Sequence, residues 1–452
     1  MADSSRDVTA PAGERRAILE RLRSTVRPEE GWLPSFIHVD PDVYALESER
    51  IFGRCWLFVA HESEIPLPGD YVARSMGEDP VIAARGEDGV ARVFLNFCRH
   101  RGMRVCRSEL GNASHFRCPY HGFTYLNTGR LVGVPFQQEA YGDDLDKSEL
   151  GLLEARTAAY DGLIFATWDR HAAPLDEYLG DMRWYLDLLF KRGRMAVVGH
   201  PQRRMSSTNW KLPAENFATD AYHTAHSHAS IAHIGLAART GTNTSSRPDF
   251  SKYGFQVSAG NGHGLGLGMP AVTPVLPEQL FSVYERNLSA GQFSVIRQLY
   301  NIHALVFPNM SMQISPVQFD GRMISHTSIN VYQPRGPGTI ETSSWFLVED
   351  EAPEWWKRVS QQMYLLMFSP SGIFEQDDVE NFTDVFATIA GQAGRATQMN
   401  YQMGLSRPTV RGFVGPGDVY QGKYCEANGR AFYRRGGSTV PSEGMVHARG
   451  RT

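Results

Sequence analysis

Two short segments hold residues able to bind a redox metal centre: Cys98-Arg-His100 and, after 17 intervening residues, Cys118-Pro-Tyr-His121. A Cys-x-His pair and a Cys-x-x-His pair, each in a turn between short strands, can each present a sulfur and an imidazole to one centre. Two thiolates on one iron and two histidines on the other are what a Rieske [2Fe–2S] cluster requires. Gly102 and Gly122 follow the pairs, where the backbone must approach a cluster closely. A structural zinc site uses the same atoms, but one-residue Cys-x-His spacing is unusual for a zinc finger, so iron–sulfur is favoured. Cys55, Cys106 and Cys425 fit neither pair and read as small buried residues.

A second constellation is Glu215-Asn216-Phe217-Ala218-Thr219-Asp220-Ala221-Tyr222-His223-Thr224-Ala225-His226-Ser227-His228, with His233 beyond it, so that four of 15 histidines fall within eleven residues. His223 and His228 are five apart, roughly 140° on a regular helix, so both reach one metal only if the helix ends or bulges between them. By spacing alone His226 is an equally good ligand. Two histidines and one carboxylate leave positions open for oxygen on non-haem Fe(II). The acid-rich Gly372-Ile373-Phe374-Glu375-Gln376-Asp377-Asp378, after the apolar Tyr364 to Phe368, offers that carboxylate, although an acidic helix N-terminus also stands without any metal.

The elements that must position these residues belong to an ordinary globular chain. It has 452 residues, 42% hydrophobic and 21% charged, with a formal charge of -4. That excludes a stapled mini-protein, a largely disordered chain and a nucleic-acid binder. Five cysteines are too few for a disulfide framework, and the opening residues carry no apolar targeting segment, so a cytoplasmic location is expected.

Amphipathic patterns at Ile18, Leu19 and Leu22 and at Val43, Leu46 and Ile51 predict two surface helices. Val93 to Phe97, Phe116, Phe123 to Leu126 and Leu163 to Trp168 predict short strands of a small all-β unit. Helices are expected around 213–235 and 353–390, strands at 294–300, 303–314 and 323–333, loop over the Gly-rich 256–274, and loose order from about 426.

Together these motifs resemble the α (large) subunits of Rieske non-haem iron ring-hydroxylating dioxygenases, in the naphthalene, biphenyl and phenylpropionate branch. The resemblance runs through ERIFGRCWLFVAHESEIPLPGDY, FLNFCRHRGMRV, FRCPYHGFTYLNTGRLVGVP, NWKLPAENFATDAYHTAHSHAS and FSPSGIFEQDDVENF. Phe123 stands where many relatives carry Trp. The resemblance implies an α+β fold: an all-β Rieske domain at 41–170, and at 171–425 a catalytic domain whose antiparallel sheet is flanked by helices in a helix-grip (START-like) arrangement. Residues 1–40 would join the catalytic domain as a helical segment, and 426–452 would be a C-terminal tail.

It also implies roles. Cys98, His100, Cys118 and His121 hold the cluster, and His223, His228 (in preference to His226) and Asp378 hold Fe(2+). Asp220 is the catalytic acid that links the iron of one subunit to His121 of its neighbour. Asn216, Phe217, His303, Phe368 and Phe374 line the substrate pocket. Electrons come from NADH through a separate flavin reductase and ferredoxin, the product is a cis-dihydrodiol of a hydrophobic mono- or polycyclic arene, and the assembly is an α3 trimer or α3β3 with a small β subunit. The rivals are a Rieske monooxygenase or demethylase, a dioxygenase of an aromatic carboxylate such as phthalate, which needs an Arg that the sequence does not place, and a structural zinc protein.

Overall fold

The computed structural model describes residues 12–233, 251–271 and 273–438. The opening residues 1–11 and the last part of the expected tail, 439–452, lie outside them.

The β-branched and aromatic runs between residues 57 and 167 pair into a seven-stranded antiparallel sheet. Its order is Leu57–His61, Leu163–Thr167, Glu154–Tyr160, Ala91–Leu95, Asp79–Arg85, Asp70–Met76, Leu110–Asn112. Beside it His115–Arg117, Thr124–Leu126 and Leu131–Gly133 form a three-stranded sheet. Ile82, Phe94, Phe116, Tyr125 and Leu131 make a local core that also buries Cys98 and Cys118 and is separate from the main core.

The larger lobe is built on a nine-stranded sheet. Its central hairpin, Met310–Phe319 with Arg322–Pro334, is continued on one side by Ile340–Glu349 and on the other by Asn301–Val306, Gly264–Gly268 and Phe255–Ser258. Arg322–Pro334 is buried at every position from Ile324 onward, the mark of a strand covered on both faces. Helix Glu354–Met367 covers one face, with Trp356, Ser360, Met363, Tyr364 and Met367 buried at the i, i+4, i+7, i+8, i+11 spacing of one helical stripe. The helical region expected around 353–390 is two helices, separated at Phe368–Gly372. A Cβ at Gly372 would collide with the Met367 backbone, so glycine permits the tight reversal into helix Ile373–Ala390.

The helical region expected around 213–235 is three short pieces, Lys211–Thr219, Thr224–Ser227 and Ala229–His233, with 234–235 outside the described residues. Three expectations are corrected. Residues 294–300 are not a strand. Most of them belong to helix Ala290–Gln298, started by a reciprocal cap between Ser289 and Gln292 that outweighs the local β-branched and aromatic content. The Gly-rich run from 256 is not all loop, since it supplies most of strands Phe255–Ser258 and Gly264–Gly268, although residue 272 lies outside the described residues. Glycine is required there because a Cβ at Gly264 would meet Asn428 and one at Gly266 would meet His303 and Lys423. The polar tail is helical over Ala427–Ser438, with Phe432 and Tyr433 buried in the main core. Trp32–Pro34 pairs antiparallel with Gln398–Asn400. Among the described residues no helix is long and apolar enough to cross a membrane.

Candidate metal centres

The two Cys/His loops are closed in the same way. In the first, Cys98 N donates to Met103 O (2.8 Å) and Gly102 N to Cys98 O (2.9 Å); in the second, Cys118 N donates to Phe123 O (2.8 Å) and Gly122 N to Cys118 O (3.0 Å). Both glycines have left-handed backbone, φ 75 and 77, which lets each chain fold back under its own cysteine. The sulfurs therefore lie in the local core, Cys98 1% and Cys118 2% exposed, while His121 is exposed and His100 half-buried. The two Nδ1 atoms are 3.0 Å apart. Two buried thiols behind two converging imidazoles fit an iron–sulfur group that gives up electrons on its histidine side. Tyr125 supports the sulfur end, its hydroxyl 3.3 Å from Cys98 Sγ. Phe123 stacks on His100 at 4.9 Å and 9°, so it is a packing element of this centre.

The second site forms where helix Lys211–Thr219 stops. Asp220 leaves the helical region at ψ 92, and its Oδ1 accepts from the backbone N–H of Tyr222 (2.8 Å) and His223 (3.1 Å). Its Oδ2 lies 3.2 Å from His223 Nδ1. One carboxylate thus shapes the turn and orients the imidazole. Residues Thr224–Ser227 make a single turn, and His228 has already left it at φ -100, ψ 24. That break removes the 140° conflict of a continuous helix and turns His223 and His228 toward each other, Nε2 to Nε2 3.2 Å. His226 is exposed on the outside of the turn.

Asp378 arrives from the first turns of helix Ile373–Ala390. Its Oδ1 is 3.4 Å from His223 Nε2 and 3.2 Å from His228 Nε2, yet that buried oxygen has no well-directed hydrogen bond among the described residues. Three lone-pair atoms so spaced, at ~2.1 Å from a common ion, would subtend roughly 100° at it. The residues therefore fit a metal better than they fit a hydrogen-bonded cluster. Burial pushes the Asp378 carboxyl up, and the two imidazoles more than reverse this, to about 2. His223 is opposed by burial but raised to about 10 by Asp220 and Asp378. Asp377 points to the far side of the same ring, with Oδ2 3.1 Å from His228 Nδ1. Glu375, the third acid of the run, is buried against Arg204 in an ion pair.

The residues expected around the substrate border one cavity of about 100 Å³ beside these ligands: Asn216, Phe217, His303, Phe368 and Phe374 all line it. Phe368 and Phe374 stack at 4.8 Å and 7°, and Phe374 meets His228 at 4.5 Å. His303 Nδ1 donates to Phe217 O at 2.9 Å, and burial followed by Lys423 draws its pKa down to about 3. The Asn216 amide is 3.4 Å from His223 Nδ1. Lys423 was not foreseen. Its buried side chain lines the same cavity and its ammonium donates to Asn301 Oδ1 at 3.2 Å. It comes from a segment with no motif, about 200 positions after the histidines, so no local spacing points to it.

Comparison with known proteins finds two families along the chain. Residues 55–152 match the family described as Rieske [2Fe-2S] domain, and residues 175–447 the family described as ring hydroxylating alpha subunit (catalytic domain). The chain is 38% identical over 437 residues to the biphenyl dioxygenase subunit alpha of Metapseudomonas furukawaii, covering 92% of each. It is 34% identical over 425 residues to the N,N-dimethyl phenylurea N-demethylase subunit alpha of Sphingobium sp., covering 90% of this chain and 91% of that one. The crystal structure of naphthalene 1,2-dioxygenase from Rhodococcus sp. bound to indole superposes with a TM-score of 0.88 at 42% identity, covering 96% of this chain and 99% of that one.

Proposed function

The chain belongs to the α subunits of the Rieske ring-hydroxylating oxygenases, with a [2Fe–2S] cluster and a non-haem iron as its metal centres, and we propose that it adds both atoms of O2 to a hydrophobic arene to give a cis-dihydrodiol. The observation that carries this is the His223, His228 and Asp378 triad opening onto a cavity walled by Phe217, Phe368 and Phe374.

On this proposal Cys98, His100, Cys118 and His121 hold the cluster, and His223, His228 and Asp378 hold the iron. When bound, the cluster supplies electrons singly and the iron supplies oxygen activation beside the arene. The protein's share is positional. Asp220 and Asp377 each take the outer nitrogen of an iron histidine, leaving Nε2 of both rings directed inward. The stacked phenylalanines exclude water and present flat apolar faces to a planar substrate. His303, held neutral by burial and pinned to Phe217 O, fixes the backbone of the wall opposite.

We further propose that NADH is the electron source through a separate ferredoxin and flavin reductase, and that α subunits assemble as α3 or, with a small β subunit, as α3β3 in the cytoplasm. Asp220 then meets His121 of the neighbouring subunit. We assign 41–170 to the Rieske domain, 171–425 with the segment 1–40 to the catalytic domain, and 426–452 to its C-terminal extension. The relative named as an N-demethylase favours a second reading, oxidative N-demethylation on the same centres. The test is reconstitution with reductase, ferredoxin and NADH, followed by product identification on a panel of arenes, aromatic acids and N-methyl aryl compounds. A cis-diol supports the proposal, and a phenol or a demethylated amine as the sole product overturns it.

A further inference from the structure

Beside Phe368 lies a histidine that has no hydrogen-bond partner among the described residues. His326 is 1% exposed, and among the described residues neither of its ring nitrogens has a hydrogen-bond partner. A buried donor and acceptor left unmade in this way are rare and costly, and they call for an explanation. Its surroundings are aromatic: Phe368 at 5.1 Å and Tyr364 at 6.0 Å between ring centroids.

Its position explains the cost. His326 pairs directly with Ser315 across the central hairpin, so the two side chains share a face of the sheet. Ser315 lines the substrate cavity. Phe368, whose ring centroid is 5.1 Å from that of His326, itself lines that cavity. Phe368 is the residue at which helix Glu354–Met367 ends, φ -127 and ψ 8, in the short joint before the next helix. The cavity of about 100 Å³ is small beside the ~300 Å³ or more usual for small-molecule sites, so displacing a wall residue would enlarge the room for a two-ring substrate. Phe368 is the wall residue placed at a joint.

We propose that His326 is a concealed specificity determinant: when a two-ring arene displaces the Phe368 ring, the imidazole becomes the far end of the cavity and hydrogen-bonds a neutral polar substituent on the ring that is not oxidised. Burial draws its pKa down to about 3. The ring is therefore neutral, with one N–H donor and one acceptor. Among the described residues no hydrogen-bond partner of either sign faces the ring, so a carboxylate at that end would be buried unpaired, and the class selected there is a hydroxyl- or amide-bearing arene. The inference rests on the arene-oxygenase reading and narrows its substrate.

The test is equilibrium binding without turnover, by anaerobic calorimetric titration of the metal-loaded protein with biphenyl and with 4-hydroxybiphenyl. In wild type the hydroxylated compound should bind more tightly. His326→Phe should lower the ratio of the two dissociation constants about tenfold, with biphenyl itself within about twofold, and His326→Gln, which keeps a donor and an acceptor, should retain the preference. Phe368→Ala, which removes the screen without touching His326, should enlarge it. An unchanged ratio in His326→Phe with full metal content overturns the inference, and so does an unchanged ratio in Phe368→Ala should His326→Phe fail to fold. Diol formation from biphenyl by wild type is scored separately, so a failed ratio leaves the oxygenase reading standing, and a failed reaction is read from its own assay.

Discussion

Asp377 and Asp378 are adjacent in the chain and serve opposite edges of one imidazole: Asp377 Oδ2 is 3.1 Å from His228 Nδ1, and Asp378 Oδ1 is 3.2 Å from His228 Nε2. A helix turns ~100° per residue, so neighbouring acids diverge, and a histidine set between them has both nitrogens taken. The two acids then have different work, one toward the ion and one toward the ring.

Asp378→Ala should accordingly lose the mononuclear iron and product formation, while Asp377→Ala keeps the ligand set and weakens iron affinity by ~10-fold to 100-fold, as loss of an orienting partner does. His228→Ala should be far more damaging than His226→Ala, since His226 is exposed. Iron content after dialysis against graded chelator ranks the four variants, and reversal within either pair would move the ligand set.

Cys118→Ser should abolish the visible absorption of the cluster but leave the mononuclear iron bound. The physical ground is the separate core around Cys98 and Cys118, which confines the loss to the smaller lobe. Metal analysis alongside the absorption spectrum decides it, and a surviving Rieske spectrum would contradict the assignment.

Asp220→Asn should keep both centres and fail to connect them. The amide retains an acceptor for the turn N–H groups of Tyr222 and His223 but lacks the charge that strengthens the bond to His223 Nδ1. With the cluster reduced chemically and substrate and oxygen added, reoxidation should be slow and product scarce. Near-normal single-turnover product would place the link between centres elsewhere.

Glu215 gives a pH prediction. Burial pushes its carboxyl up to about 8, against the opposing hydroxyls of Tyr433 and Tyr401. The folded state then keeps a proton that the unfolded chain releases near the ordinary value of 4.5, so the stability it contributes is full below that pH and is lost as pH rises toward about 8. Glu215→Gln, neutral throughout, should flatten that decline, a difference of a few kcal/mol at most. Denaturant midpoints between about pH 5 and 9 check this, and parallel curves for the two proteins would contradict it.

The metal motifs were legible because each is local: two Cys/His turns, and five residues from His223 to His228. The carboxylate proposed as third ligand was visible only as one acid among several, and its choice leaned on resemblance, since Glu375, Asp377 and Asp378 differ in what faces them across the fold. What misled was long-range. Gly264 and Gly266 look like loop until Asn428, His303 and Lys423 are seen to occupy the space beside them. The arginines and glycines after Ala427 hide a helix whose Phe432 and Tyr433 close the main core. His326 gave no signal at all, because its lack of partners exists only once Phe368 and Tyr364 are packed over it.

The most direct measurement is isotopic. The reduced protein is given an arene and a mixture of 16O2 and 18O2, and the product is analysed by mass spectrometry. If His223, His228 and Asp378 direct both atoms of one oxygen molecule to one ring, the diol carries two light or two heavy oxygens and no mixed pairs. A product with a single oxygen from O2, or a diol with mixed labels, would contradict dioxygenation at this site.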